Sequence, residues 1–462
     1  MIEAALLPVR LALGIAALIL VGSLLVRWLT PGLSLLGQAA AGFGVGALLI
    51  TLWMLALSSL GVPFDLPLVL ALPLFLAGGL WSGHWVWRRR TSKPPAVAAP
   101  SPPKPPPAPY GYADGLFIGL LAALFLFAFL RAGLYPMWAW DAVATWGFKA
   151  KVFYERETID LSGFEAHNYY PNLVPLLLTY LYLWLGQVND HLVKLIFPLW
   201  GAALLSLLFE NLRRLGLNRT QSLGAIAFLA LNGLTLVTHL HIAYADLALT
   251  YFTLGAAGFL YLWLADAGPR GTMPLAALFF AGLTWCKFEG PPLAGSIFLA
   301  AALTLLWLRP PRLARRLASL AWPLGGMLLG YLPWRLFMAS QGLETGADHV
   351  LGFYPRQLFQ ALPSFLWALI NPTLFGILWP ATVAALIVSG KKLFLTPRLF
   401  LPLFLAGNFL AILLAYTVAP TSSSEFPLYV RATLDRLLLH LTPVAALALG
   451  EGVKEVREGQ GP

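Results

Sequence analysis

The segment from Trp140 to Lys151 reads W-D-A-V-A-T-W-G-F-K-A-K, placing one carboxylate, two tryptophans and two lysines directly after a membrane-length apolar run. Only 11% of the chain is charged, so each ionised side chain carries weight. A carboxylate at a membrane boundary can take a proton from a hydroxyl, and ammonium groups beside it can hold an anion such as phosphate. Asp141 is therefore the candidate base, with Lys149 and Lys151 as candidate anion contacts. The plainer alternatives are an ion pair between Asp141 and one of the lysines, and an interfacial aromatic belt for Trp140 and Trp146.

Further ionisable residues stand at the ends of other apolar runs. In H-I-A-Y-A-D, His241 to Asp246, the acid falls in the first turn of a helix, where the macrodipole favours it. Lys287-Phe288-Glu289-Gly290 interrupts an apolar stretch; a tight turn accounts for Gly290 but not for two opposite charges. Arg431 and Arg436 precede the last apolar run, where they can snorkel to headgroups or grip phosphate bidentately. His239, His241 and Asp246 lack a further ligand at zinc spacing, and Cys286 is the only cysteine, so neither a metal site nor an intramolecular disulfide is expected.

These residues must be held by membrane helices. The chain has 462 residues, 59% of them hydrophobic, and a mean hydropathy of +0.76. Apolar runs of span length must close their backbone hydrogen bonds internally as helices, and the alternating segments of a lipid-facing barrel are absent. The expected fold is all-α and polytopic, with about thirteen crossings near 11–29, 38–60, 66–87, 115–134, 192–210, 222–240, 247–265, 273–286, 290–308, 317–338, 362–389, 399–418 and 437–450. The first is read as a retained span, not a cleaved signal. Pro171 to Gly186, short and rich in Tyr and Trp at its end, is expected to be an interfacial or re-entrant helix in the first outer loop. The net charge of +10 lies in short basic clusters between spans, which then fall on one face, the cytoplasmic one. Nucleic acid is not an expected partner. Residues 1–87 form an expected N-terminal accessory set of helices, 88–113 a basic Pro-rich linker, 114–450 the catalytic module, and 451–462 a cytoplasmic tail.

Taken together, W-D-A-V-A-T-W, H-N-Y-Y-P-N-L-V-P-L-L (His167 to Leu177), Y-A-D (Tyr244 to Asp246), K-F-E-G, and L-D-R-L-L-L-H-L-T-P (Leu434 to Pro443) resemble the GT-C superfamily of membrane glycosyltransferases. The likeness extends to the protein O-mannosyltransferases and the lipid A aminoarabinose transferases, over about residues 115–450. It argues against the oligosaccharyltransferase branch, since a large soluble C-terminal domain is missing after the last span. The resemblance implies a multi-pass inner-membrane enzyme that moves a sugar from a polyprenyl-phosphate carrier to an acceptor hydroxyl on a glycan, lipid or protein, with inversion, at the non-cytoplasmic face. It implies Asp141 as general base. Lys149, Lys151, Lys287, Arg431 and Arg436 are the expected contacts to the donor phosphate, and Trp140, Trp146, His167, Tyr170, Tyr244, Asp246, Glu289 and His440 the supporting set. No cofactor is expected; a divalent ion held by Asp141 and Asp246 is the alternative. A lipid or solute transporter is the competing function, and would place its charges at mid-bilayer within repeats.

Overall fold

A computed structural model describes residues 2–91, 109–164, 167–343, 352–418 and 425–459. The Pro-rich linker at 92–108, residues 344–351 of the expected outer loop at 341–360 and the last residues of the tail lie outside them. Every regular element among the described residues is helical. The chain runs through α1 (Ile2–Leu29), α2 (Leu35–Ser59), α3 (Leu66–Thr91) and α4 (Tyr112–Leu134), then a π-helical turn (Ala142–Gly147), α5 (Phe148–Glu155), α6 (Leu173–Leu185) and α7 (Asp190–Val193). It continues as α8 (Ile196–Arg214), α9 (Arg219–Leu231), α10 (Leu234–His239), α11 (Asp246–Leu264), α12 (Thr272–Cys286) and α13 (Gly290–Leu308). The remainder comprises α14 (Leu313–Ser319), α15 (Ala321–Ser340), α16 (Pro355–Ile370), α17 (Pro372–Phe375), α18 (Leu378–Val388), α19 (Lys392–Leu395), α20 (Phe400–Val418), α21 (Phe426–Leu439) and α22 (Thr442–Gly459).

The protein is an integral membrane protein. Among the described residues, eight helices are long and apolar enough to cross a bilayer, or nine if α21 and α22, bent by 45°, count as one broken span. Thirteen crossings are expected; of the four expected runs not among these, 273–286 gives the 15-residue α12, 317–338 gives α15, and the other two are apolar throughout yet broken in space. The run 222–240 breaks at Asn232-Gly233 between α9 and α10, and 362–389 breaks into α16, α17 and α18. The two breaks hold each other: the Asn232 side chain donates to the Phe375 carbonyl at 2.8 Å and accepts from the Ile377 amide at 3.2 Å. Freed backbone groups inside a membrane protein need such partners, because lipid offers none.

Packing joins the first helices to the rest. A side chain at Gly22 on α1 would lie 1.9 Å from the Gly42 carbonyl on α2, so only glycine permits this approach. Tyr251 on α11 donates to the Ala40 carbonyl of α2 at 2.6 Å, and Trp285 on α12 donates to Thr51 at 2.9 Å. Helices α1 and α2 are thus part of the bundle core, while α3 packs along their outer side. Helix α6 has 13 residues, too short to cross, and is buried nearly throughout against α1, α2 and α5; Gly186, in the left-handed region at φ 72°, ends it.

Candidate active site

Breaks between helices, not helix interiors, present the charged residues. Asp141 precedes the π-helical turn, and Asp246 opens α11 three residues after Ala243, a non-glycine residue held at φ 67°. Local strain of this kind collects at functional sites. Helix α12 ends at Lys287, whose backbone is fully extended (φ −155°, ψ 161°). Helix α13 restarts at Gly290 with Pro291 and Pro292, which cannot continue the earlier hydrogen-bond ladder. Arg436 occupies the last turn of α21, and His440 sits at the bend before α22.

These five segments converge on one ion-pair network. Arg436 Nη2 lies 2.7 Å from Asp141 Oδ2 and 3.1 Å from Asp246 Oδ2. Lys287 Nζ donates to Asp246 Oδ1 at 2.9 Å and pairs with Glu289 Oε1 at 2.8 Å. His440 Nε2 closes on the same Asp246 oxygen at 3.3 Å. The Asp246 side chain has no exposure at all, whereas those of Asp141 and Glu289 are 25% and 27% exposed. One carboxylate therefore anchors the network, and two look outward from it. The Tyr244 ring covers the Arg436 guanidinium at 4.9 Å, a cation–π contact.

An aromatic wall adjoins the charges. Tyr170 stacks on Phe288 with centroids 5.9 Å apart and planes 4° apart, and its other ring neighbours are His167 at 4.8 Å, Tyr169 at 4.9 Å and Trp146 at 5.9 Å. Burial, reinforced by Glu289 and Tyr169, raises the Tyr170 phenol well above its ordinary pKa, so it keeps its proton and remains a donor. Phe288 is half exposed, and the Glu289 Oε2 atom has no hydrogen-bond partner.

Not every expected residue joins the network. Lys149 is buried in the first loop, where its Nζ donates to the His167 carbonyl at 2.6 Å; Lys151 pairs with Asp190 at 2.7 Å. Arg431 is exposed on α21, about one and a half turns before Arg436. Trp140 is 79% exposed while Trp146 is fully buried, so the two tryptophans have different environments. Two residues outside the expected set lie close behind the network. His239 is buried with Nε2 unpartnered, and it interacts electrostatically with Asp435 and Asp246. Asp435 directly precedes Arg436 and was within reach of sequence reading through the L-D-R motif; His239 offered only a weak metal-like spacing. Among the described residues, no three His, Cys, Asp or Glu side chains converge as a metal cage.

No family model matches the chain, and no curated protein does. Solved structures do: ArnT from Cupriavidus metallidurans superimposes in its apo state with a TM-score of 0.53, and bound to undecaprenyl phosphate with 0.54. Identity is 14% in both cases, over 74% of this chain and 60% of that one, so the match spans less than two thirds of the ArnT length. What the comparison establishes is the fold, which this chain shares with ArnT over that length.

Proposed function

We propose that this protein is an integral-membrane glycosyltransferase that moves a sugar from a polyprenyl-phosphate carrier to an acceptor hydroxyl, with inversion, at the non-cytoplasmic face of the inner membrane. The observation that carries the reading is Arg436, shared between a partly exposed and a fully buried carboxylate. Support also comes from the GT-C-like motifs and from a fold shared with a protein solved with undecaprenyl phosphate.

The chemistry follows from that sharing. The entering donor phosphate competes with Asp141 for Arg436, while Asp246 keeps the guanidinium in place. Asp141, released, accepts the proton of the acceptor hydroxyl as the oxygen attacks the anomeric carbon. The bond from that carbon to the phosphate oxygen breaks, and its electron pair leaves with the polyprenyl phosphate. Arg436 and Lys287 meet the charge that grows on the leaving phosphate, so they favour the transition state over the ground state. Phe288, half exposed with Tyr170 stacked on it, offers the sugar an aromatic face.

The test is transfer of labelled sugar from a polyprenyl-phosphate donor by the purified protein. Asp141→Asn keeps shape and removes basicity, so turnover should drop by about 100-fold or more with the fold intact. Near-normal turnover in Asp141→Asn would shift the base to Glu289. Transfer abolished by a chelator would replace the metal-free reading with an ion between Asp141 and Asp246.

A further inference from the structure

At the opposite end of the bundle, a cavity of about 380 Å³ opens among Arg214, Tyr261, Lys392, Arg398, Glu451 and Lys454. Helix α11 carries Asp246 at one end and Tyr261 fifteen residues later, so roughly 22 Å of helix separates this cavity from the proposed active site. Most of its charged side chains are paired. Arg214 pairs with Glu210 at 2.7 Å, Arg398 with Glu451 at 2.8 Å and Glu455 at 2.6 Å, and Lys392 with Glu455 at 2.6 Å. Lys454, half-buried at the cavity, has no ion-pair partner among the described residues.

The cavity also sits at a definite depth. Beside it the short helix α19 turns Phe394 and Leu395 outward, 53% and 73% exposed, next to Lys391 and Lys392. Ile387 on α18 is 72% exposed. Bare apolar side chains adjoining lysines mark the boundary between hydrocarbon and headgroups, where lysine stems snorkel. An occupant held at Lys454 would therefore have its charged part in the cavity and an apolar part along Ile387 and Leu395.

We infer that this cavity binds the phosphate headgroup of an anionic membrane phospholipid, with Lys454 as the charge that holds it, as basic pockets between membrane helices do for such lipids. This site is separate from the donor site and stands whether or not the glycosyltransferase reading does.

The purified full chain is tested by thermal unfolding in neutral detergent with added phosphatidylglycerol, phosphatidylcholine or inorganic phosphate. Phosphatidylglycerol should raise the unfolding midpoint, and neither of the others should, since a preferentially bound ligand stabilises the folded state. Lys454→Met should lose the shift and Lys454→Arg keep it. Arg315→Gln, which removes an exposed cation from the same end of the bundle, should keep it as well. An undiminished shift in Lys454→Met overturns the proposal, as does equal loss in Arg315→Gln, which would mean diffuse surface attraction. An equal shift from inorganic phosphate would make this a site for free anions and end the lipid assignment.

Discussion

Arg436 serves two carboxylates of unlike exposure, and that difference assigns them unlike work. Asp246, wholly buried and touched by Arg436, Lys287 and His440, has no free face for an acceptor and acts as the anchor that keeps both cations in place. A buried charge is tolerated only when so paired, and removing one partner leaves the others uncompensated. Asp141 has one contact in the network and a quarter of its side chain open, which suits a group that must change partners. Lys149 works on a different principle. Burial pulls its ammonium from the ordinary 10.5 down to about 7, and its Nζ holds the first loop through the His167 carbonyl. A lysine that is half neutral near pH 7 is a poorer phosphate contact than a guanidinium. Between these two pKa values the folded chain binds fewer protons than the unfolded one, so stability rises with pH across that window. The cost of burying the charge is fully present below it. Relative to Lys149→Met, which does not titrate, the wild-type unfolding midpoint should therefore gain by several degrees between pH ~6.5 and ~9. A difference that stays flat across that range would mean Lys149 is not buried as an ammonium.

Helix α12 delivers Lys287 to the network, and α15 holds α12 in place. A Cβ at Gly326 would fall 2.0 Å from the Ala277 carbonyl, and one at Gly330 would fall 2.1 Å from the Ala281 carbonyl, so the two backbones touch along a small-residue seam. Gly326→Val should force the helices apart, lowering stability by about 1–3 kcal/mol and turnover with it. Gly325→Val, whose added carbon meets nothing within 4 Å, should leave both unchanged, as measured by thermal unfolding and donor turnover. If Gly326→Val behaves like Gly325→Val, the seam does not position Lys287. The sequence disclosed these elements unevenly, for a physical reason. Run length and the charges at run ends report local needs, the absence of water in lipid and the cost of isolated charge, and so Asp141, Asp246, Lys287 and Arg436 stand out from the order of residues alone. The split of 222–240 at Gly233 is a tertiary matter: a Cβ there would meet the Leu374 carbonyl at 2.4 Å, and that neighbour is 141 positions away. The partners of Lys149 and Lys151 were hidden likewise, since neither the His167 carbonyl nor Asp190 can be chosen without the folded loop.

The molecule as a whole is polarised. At one end lie the Asp141 network and the aromatic wall. At the other, Arg214 reaches the Gly32 carbonyl and Arg316 pairs with Asp266, in the same region as Arg398 and Lys392 with Glu451 and Glu455. Helices α12 and α15 run side by side in the same direction, with Ala277 opposite Gly326 and Ala281 opposite Gly330, so Gln341 at the end of α15 lies at the active-site end with Lys287. Lys391, next to the Lys392–Glu455 pair, lies at the basic end. Short loops rich in Lys and Arg stay on the cytoplasmic side during insertion, so the basic end should face the cytoplasm and the proposed donor site should face out. Because the first loop ends where it began, with Lys194 donating to the Tyr135 carbonyl at 2.8 Å and His191 meeting the Gly133 carbonyl at 3.0 Å, it adds no crossing, and the separation of charge along the later helices is preserved. Single cysteines at Gln341 and Lys391, both exposed, in a Cys286→Ser background test this orientation. In intact cells a membrane-impermeant thiol reagent should label the first and spare the second, and opened membranes should label both. Labelling at Lys391 alone would invert the protein in the membrane and place Asp141, Arg436 and the sugar donor on the cytoplasmic side.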